Sequence, residues 1–164
     1  MSDAVVVVPY DTDWPSRFEH ERAVLGAVFA GSEAVIEHVG STAVPGLKAK
    51  PILDIAVAIP AHAVVPRCAA SLASLGYEYA YWVDLENDFT FEKGIERTHH
   101  VHLVELDSRQ WADYLRFRDA LRRNAQLLCE YERVKIELGA RFCSDRASYT
   151  RAKAEFIRRV LSMT

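Results

Sequence analysis

Hydrophobic positions in the first half of the chain alternate between helical spacing and short unbroken runs. Trp14, Phe18 and Leu25 recur near helical spacing after a proline at position 15, which is well tolerated in a first helical turn. The run 51–59 is apolar on both faces, as is typical of a buried strand. The elements predicted here are an edge strand or extended arm at 5–8, a helix at 14–29, strands at 34–39 and 51–59, and a helix at 61–75 closed by Gly76.

The second half changes from short alternating runs to long amphipathic segments. The elements predicted here are strands at 77–83, 88–92 and 99–106, then helices at 108–123, 125–142 and 148–161. The separators between the strands are short enough for hairpins, and Ser108 and Ser148 are predicted helix N-caps. We therefore predict one α/β domain over residues 1–164, with a mixed sheet of four to five strands flanked by helices and a C-terminal helical layer.

Composition limits the classes of function. A chain of 164 residues can bury a core without a metal or disulfide staple. Its net charge of −3 argues against a strongly basic nucleic-acid surface. After residue 107, however, Lys and Arg outnumber Asp and Glu. This basic segment could bind a polyanion, or its charges could simply lie on solvated helix faces. Three widely spaced cysteines, no basic leader and no bilayer-length apolar run lead us to expect a cytoplasmic protein without a membrane partner.

An acid interrupts the second apolar strand. Asp54 lies within PILDIAV, where an unpaired carboxylate would cost much desolvation energy or become neutral through a raised pKa. It therefore requires a cation, a metal ion or several hydrogen bonds. Lys48 and Lys50 are near enough in sequence for a structural salt bridge, and a metal-binding or catalytic role is the alternative.

A Gly-Ser-Thr turn precedes this strand. Gly40 permits a close approach of backbone to ligand, and Ser41 and Thr42 contribute hydroxyls beside amides that can bind an anion. Phosphate binding and a plain tight turn both fit this pattern. His38 is placed either to join the same cavity or to lock the turn by a hydrogen bond.

The spacing between turn and acid is typical of nucleotidyltransferases. In those enzymes the Gly-Ser turn holds a triphosphate, and two carboxylates on one strand face bind divalent ions that bridge it. Residues i and i+2 share a strand face, and the residue two positions after Asp54 is Ala56. The usual two-metal site therefore cannot be built from this strand alone.

The segment THHVHLVE predicts a strand with His100 and His102 on one face. Together with Asp54 from a neighbouring strand, the two imidazoles form a donor set that suits Mn, Fe, Ni or Zn better than Mg. The pair could instead contact phosphate or act as general acid and base near neutral pH. Core histidines bonded to backbone or carboxylate are the structural alternative.

Two helical segments, YERVK and YTRAK, have the same Tyr-x-x-x-Lys form. Residues i and i+4 share a helix face, so Tyr131 and Tyr149 can steer the ammonium groups of Lys135 and Lys153. Two such amines entering one cavity would bind phosphates as point charges. Lysine stems packed beside tyrosines at the edge of the core are the alternative.

Nearly the whole chain resembles the GrpB family of small bacterial proteins. The resemblance is carried by VPYDTDWPSRFEHE, IEHVGSTAVPGLKAKPILDI, LGYEY, HHVHL, YLRFRDALR, YERVK and YTRAKAEFI. It implies a nucleotidyltransferase-like fold, with Gly40 and Ser41 on the Gly-Ser turn, Asp54 as the first strand carboxylate, and His100 and His102 as a His-x-His motif. Fusion of such domains to dephospho-coenzyme A kinase in some bacteria implies a nucleotide or coenzyme A ligand.

Three functions remain in competition. The first is divalent-metal-dependent nucleotidyl transfer, using Mg, Mn or possibly Zn; the second is a catalytically inactive module that binds a nucleotide or coenzyme; the third is a metal-dependent phosphoester hydrolase. The residues expected to be catalytic and to bind metal are Asp54, His100 and His102. The residues expected to bind substrate are Gly40, Ser41, Thr42, Lys50, Lys135 and Lys153.

Overall fold

The structure is a computed structural model that describes residues 6–60, 65–80 and 89–164. The helices are α1 (Trp14–Val28), α2 (Val65–Ser74), α3 (Arg109–Arg123), α4 (Ala125–Arg141) and α5 (Arg146–Met163). The strands are β1 (Val35–Val39), β2 (Leu53–Ile59), β3 (Tyr77–Tyr79), β4 (Phe89–Lys93) and β5 (His99–Glu105), and a 3₁₀ turn spans Ser41–Ala43. The predicted mixed α/β fold is confirmed. The parts of the predicted elements that fall at 5, 61–64 and 81–88 lie outside the described residues.

The five strands form one mixed sheet in the order β1-β2-β5-β4-β3. Strands β2 and β5 are parallel, and the other neighbouring pairs are antiparallel. Because β2 has a partner on both sides and layers on both faces, its sequence is almost continuously apolar. The segment before α1 contributes one isolated antiparallel bridge, between Val8 and Ala49, which fits an extended arm.

The two faces of the sheet are covered differently. Alternate residues of β2, including Ile55 and Val57, pack in a core with Trp14 and Phe18 of α1 and Leu72 of α2. A second core joins the loop after the 3₁₀ turn to the three C-terminal helices; it contains Val44, Leu47, Phe117, Leu121, Tyr131, Phe156 and Val160. Because side chains alternate along a strand, Asp54 lies on the sheet face directed away from the first core.

Side-chain caps define the starts of the C-terminal helices. Ser108 accepts a hydrogen bond from the Trp111 backbone amide at 3.2 Å, which confirms its predicted role as the N-cap of α3. The prediction for Ser148 is wrong, because Asp145 Oδ1 accepts from the Ser148 amide at 2.9 Å and α5 begins earlier. The carboxylate of Asp145 already accepts a hydrogen bond from the otherwise unpaired backbone amide of Ser148.

Among the residues that the structure describes, none of the helices combines the length and apolar character needed to cross a bilayer.

Candidate metal and phosphate site

Strand register brings one carboxylate and two imidazoles together. Asp54 of β2 pairs in register with His100 of β5, and Ala56 pairs with His102. Asp54 Oδ1 lies 3.0 Å from His100 Nδ1 and 3.6 Å from His102 Nε2. One potential ligand atom from each of the three side chains lies within 4.8 Å of the other two, a spacing that could hold a metal ion. The residues that the sequence singles out as metal ligands therefore face one another.

Strand β4 adds two partners that sequence analysis missed. Glu92 Oε1 lies 3.2 Å from His100 Nε2, and Thr90 Oγ1 lies 3.1 Å from His102 Nδ1. Glu92 also pairs through its second oxygen with Arg97 Nε at 3.1 Å. Each histidine thus has one ring nitrogen toward Asp54 and the other toward β4. The predicted hairpin between the strands at 88–92 and 99–106 was the available signal, and the antiparallel pairing of β4 with β5 confirms it. A short separator does not reveal which residues lie opposite each other.

The histidines control the charge of Asp54. Burial acts to raise the pKa of this carboxyl, but hydrogen bonds and positive charge from His100 and His102 hold it well below its usual range. The Asp54 side chain is still 30% exposed, so its oxygens remain within reach of a ligand. Of the two lysines considered as partners for a salt bridge, Lys48 pairs with Glu132 at 3.2 Å.

The Gly-Ser turn packs directly against this carboxylate. Gly40 has a φ of +69°, and a Cβ built there would lie 2.3 Å from Asp54 Oδ2. Glycine is therefore required both by the backbone conformation and by the close approach of the acid. The turn and Asp54 form one continuous surface.

Thr42 and His38 hold the turn in place. Thr42 Oγ1 donates to the Ile52 carbonyl at 3.2 Å and lies 3.0 Å from His38 Nε2. Burial, together with nearby Arg122 and Arg118, lowers the pKa of His38 to about 4, so its ring is neutral at physiological pH and donates from Nε2. Of the alternatives for His38, the structure shows the turn-locking hydrogen bond. The Thr42 hydroxyl takes part in the same hydrogen bonds, and the residue is only 1% exposed.

Three lysines converge beside the turn. Lys50 Nζ and Lys153 Nζ lie 4.3 Å and 5.1 Å from the centroid of the Tyr149 ring. Lys135 Nζ lies 4.9 Å from the centroid of the Tyr131 ring and donates to the Lys48 carbonyl. We call Lys50, Lys135 and Lys153 the lysine cluster. Both tyrosine-lysine pairs therefore have the intrahelical contact expected from their spacing.

The lysine cluster is electrostatically linked to the turn and to Asp54. Burial and the nearby charge of Lys153 lower the pKa of Lys135 to about 7, against the opposing effects of Glu132 and Asp54. Burial raises the pKa of the Tyr131 hydroxyl, and the nearby Ser41 side chain acts in the opposite direction. A carboxylate with two imidazoles, a glycine turn and three lysine side chains thus share one region, where Lys50 and Lys153 provide positive charge for an anion.

Chemistry, rather than cavity size, distinguishes this region. A concavity of about 580 Å³ lies elsewhere, between α3 and the end of α5, and its lining includes Leu115, Ala120 and Met163. It contains none of the metal-ligand candidates or the lysine cluster. The charged and imidazole side chains around Asp54 therefore lie outside this concavity.

Relatives of known sequence match most of the chain. A UPF0157 protein of Pseudomonas aeruginosa is 40% identical over 97% of this chain and 67% of its own length. The glutamate-rich protein GrpB of Alkalihalophilus pseudofirmus is 30% identical, with 96% of this chain and 94% of the relative covered.

Solved structures support the same relationship. The crystal structure of the conserved protein GrpB from Enterococcus faecalis matches with a TM-score of 0.85 and 30% identity, covering 96% of this chain and 98% of that one. A structure of the poly(U) polymerase Cid1 with magnesium and 3′-dATP matches with a TM-score of 0.50 at 10% identity, over 89% of this chain and 49% of that one. This second similarity shows a shared nucleotidyltransferase-like fold. The family model for the GrpB protein matches residues 4–163, and the chain belongs to the GrpB family.

Proposed function

We propose that this protein is a divalent-metal-dependent nucleotidyltransferase that binds a nucleoside triphosphate. One observation carries the proposal: Asp54 lies between two imidazoles from β5 and a glycine turn that leads to the lysine cluster. Cation-binding and anion-binding groups that adjoin in this way suit a metal–triphosphate complex.

The donor set fits a metal ion. Asp54 would bind it through a carboxylate oxygen, His100 through Nδ1 and His102 through Nε2, since these are the ring nitrogens that face Asp54. Two nitrogen donors favour Mn or Zn over Mg, which prefers oxygen. When bound, the ion would neutralise phosphate charge and help align an in-line displacement.

The remaining residues would bind and orient the triphosphate. Ser41 and the amides that follow Gly40 provide donors, and the lysine cluster provides positive charge. Lys135 is buried against Tyr131, so we expect it to contact the phosphates only after a small movement away from the Lys48 carbonyl. Thr42 would contribute through its backbone, because its hydroxyl is held by the turn.

Isothermal titration tests this proposal. Ribonucleoside and deoxyribonucleoside triphosphates and coenzyme A are titrated with Mn²⁺, with Mg²⁺ or without metal, into the wild type, Asp54→Asn and Glu105→Gln. Glu105 is a matched control because it is an exposed acid at the end of the same strand as the histidines. We expect metal-dependent triphosphate binding that Asp54→Asn abolishes and Glu105→Gln retains. Failure of every nucleotide to bind would refute the proposal.

A catalytically inactive nucleotide-binding module is the second candidate, and Ala56 supports it. This residue occupies the position on β2 next to His102 where a second acid of the usual pair is expected. Such a module would bind nucleotide without turnover, and Asp54→Asn would leave the affinity unchanged. Metal-dependent turnover that is lost in Asp54→Asn would eliminate this candidate.

Metal-dependent phosphoester hydrolysis is the third candidate, and the donor set of two nitrogens and one carboxylate supports it. A tightly bound zinc or iron ion that activates water would serve such a reaction. Elemental analysis of freshly purified protein separates the possibilities: tightly held zinc or iron favours hydrolysis, and metal that arrives with nucleotide favours transfer.

A further inference from the structure

We propose that Glu92 and Thr90 of β4 are positioning residues that fix which ring nitrogen of each site histidine is free to bind metal. This inference rests on the metal site of the proposed function. It extends that site to a strand from which the sequence analysis predicted no site residue, and it assigns each β4 side chain to one histidine.

Register gives each histidine its own partner. In the antiparallel pair of β4 and β5, Glu92 lies opposite His100 and Thr90 lies opposite His102. Side chains two residues apart share a strand face, so both β4 side chains point to the same face as the histidines. Thr90 is 2% exposed, and the Glu92 side chain is 12% exposed. The pairing of the two strands therefore fixes these contacts in a largely buried position.

In both pairs the β4 side chain contacts the nitrogen opposite the one that faces Asp54. His100 directs Nδ1 to Asp54 at 3.0 Å and Nε2 to Glu92 at 3.2 Å. His102 directs Nε2 to Asp54 at 3.6 Å and Nδ1 to Thr90 at 3.1 Å. The two rings therefore approach the acid through different nitrogens.

This arrangement has a direct consequence for metal binding. A ligating imidazole binds through a nitrogen without a proton, and the other nitrogen keeps its hydrogen and donates it to a neighbouring oxygen. In the metal-free protein His100 Nδ1 donates to Asp54, and a metal ion at Nδ1 would displace that hydrogen. Nε2 would keep its hydrogen 3.2 Å from Glu92 Oε1, a buried oxygen that accepts no hydrogen bond from the described residues and attracts the N–H electrostatically. With a metal ion at His102 Nε2, the hydrogen of this ring lies on Nδ1, and the Thr90 hydroxyl 3.1 Å away would accept it. Glu92 and Asp54 lie at opposite nitrogens of the His100 ring, so the role of Glu92 is to orient that ring.

The test measures metal affinity in matched variants. Binding of Zn²⁺ and Mn²⁺ is measured by competition with a chromogenic chelator for the wild type, Thr90→Val, Thr90→Ser, Glu92→Gln, Glu92→Leu and Arg97→Gln. We expect Thr90→Val and Glu92→Leu to weaken affinity by about 10- to 100-fold. Glu92→Gln, which keeps an acceptor oxygen, should lose less. Thr90→Ser keeps the hydroxyl, and Arg97→Gln removes an ion pair that Glu92 makes through its second oxygen, away from His100, so both should retain wild-type affinity.

A second measurement reports the tautomers directly. Long-range ¹H–¹⁵N spectra of the zinc-loaded wild type should show hydrogen on Nε2 of His100 and on Nδ1 of His102. Hydrogen on the opposite nitrogen of either ring would overturn the inference, and this result does not depend on whether any variant folds.

The outcomes separate this inference from the proposed function. If the wild type binds neither metal, both the inference and the metal site fail. If the wild type binds metal and folded Thr90→Val and Glu92→Leu bind it equally well, the positioning role fails and the proposed function stands.

Discussion

Gly40 is the residue on which the shape of the site most depends. Its φ is +69°, and a Cβ would approach Asp54 Oδ2 to 2.3 Å. We predict that Gly40→Ala lowers the free energy of unfolding by about 2–4 kcal/mol, since backbone strain and a steric clash combine. We also expect it to abolish metal binding. Urea unfolding and metal titration measure the two effects.

Gly46→Ala is the control for Gly40→Ala. Gly46 also has a positive φ, of +81°, but nothing lies within 4 Å of a Cβ built there. It should lose about 1–2 kcal/mol from backbone strain and keep its metal affinity. Equal effects of the two variants on metal binding would show that contact between Gly40 and Asp54 is unimportant.

Lys135 should make stability depend on pH. Its pKa is about 7 in the folded protein, compared with 10.5 ordinarily. Between these values the unfolded chain binds more protons, so the contribution of Lys135 to stability rises with pH in this window and is lost as pH falls through 7. From pH 7 to 9, the unfolding free energy of the wild type relative to Lys135→Met should rise by up to about 1.4 kcal/mol per pH unit.

Lys48→Met is the control for this pH dependence. The Lys48 side chain is 46% exposed and pairs with Glu132. Urea unfolding of Lys48→Met at pH 7, 8 and 9 should follow the wild-type dependence. A constant difference between the wild type and Lys135→Met across this range would contradict the lowered pKa.

Sequence reasoning at the residue scale works best where a side chain breaks its local pattern. Asp54 does so, because an acid in an apolar strand must have partners, and the structure provides His100 and His102. Glu92 does not, because an acid in an alternating strand is ordinary. Its meaning depends on lying opposite His100, and pairing between strands is set by the whole sheet.

At the element scale, the start of α5 offers a sharp comparison of helix caps. Asp145 accepts a hydrogen bond from the Ser148 amide, whereas Ser148 is the third residue of the helix and not its N-cap. We predict that Asp145→Ala lowers the unfolding free energy by about 1 kcal/mol and that Ser148→Ala changes it by less than about 0.5 kcal/mol. Chemical denaturation measures both. The reverse order would restore Ser148 as the cap.

Elements were predicted more reliably than their ends or their neighbours. Hydrophobic spacing located α1 and α3 closely, because both have strong start signals in Pro15 and Ser108. The start of α5 was misjudged since aspartate and serine are both good caps, and periodicity does not choose between them. The predicted antiparallel pairing of consecutive strands is confirmed for β3 with β4 and for β4 with β5. The parallel pairing of β2 with β5 was not predicted, because a long stretch of sequence separates the two strands.

At the scale of the whole molecule, the buried side chain of Glu21 links α1 to strands β3 and β4 of the sheet. Its Oε1 accepts hydrogen bonds from Tyr77 Oη at 2.9 Å and Lys93 Nζ at 2.8 Å, and it is 4% exposed. We predict that Glu21→Gln lowers the unfolding free energy by about 1–3 kcal/mol, because the partly buried Lys93 ammonium loses its counter-charge. Thermal and urea unfolding would check this. Glu19→Gln, at an exposed position of α1, should change little.

The molecule as a whole brings an acidic and imidazole-bearing sheet face against a basic helical layer. The metal-ligand candidates come from β2 and β5, whereas two of the three lysines in the cluster come from α4 and α5. Sequence analysis found the excess of basic residues after position 107 but not the point where it meets the sheet. The tertiary fold supplies that junction through the Gly-Ser turn and Tyr131.

The central claim is that Asp54, His100 and His102 bind one divalent ion beside a phosphate site. The most direct measurement is an anomalous-scattering map from crystals grown with Mn²⁺ and a non-hydrolysable nucleoside triphosphate. We predict a manganese peak bonded to Asp54, His100 Nδ1 and His102 Nε2, with triphosphate density extending toward Ser41 and the lysine cluster. A well-ordered crystal with no peak there, or with manganese and nucleotide bound elsewhere, would contradict the account.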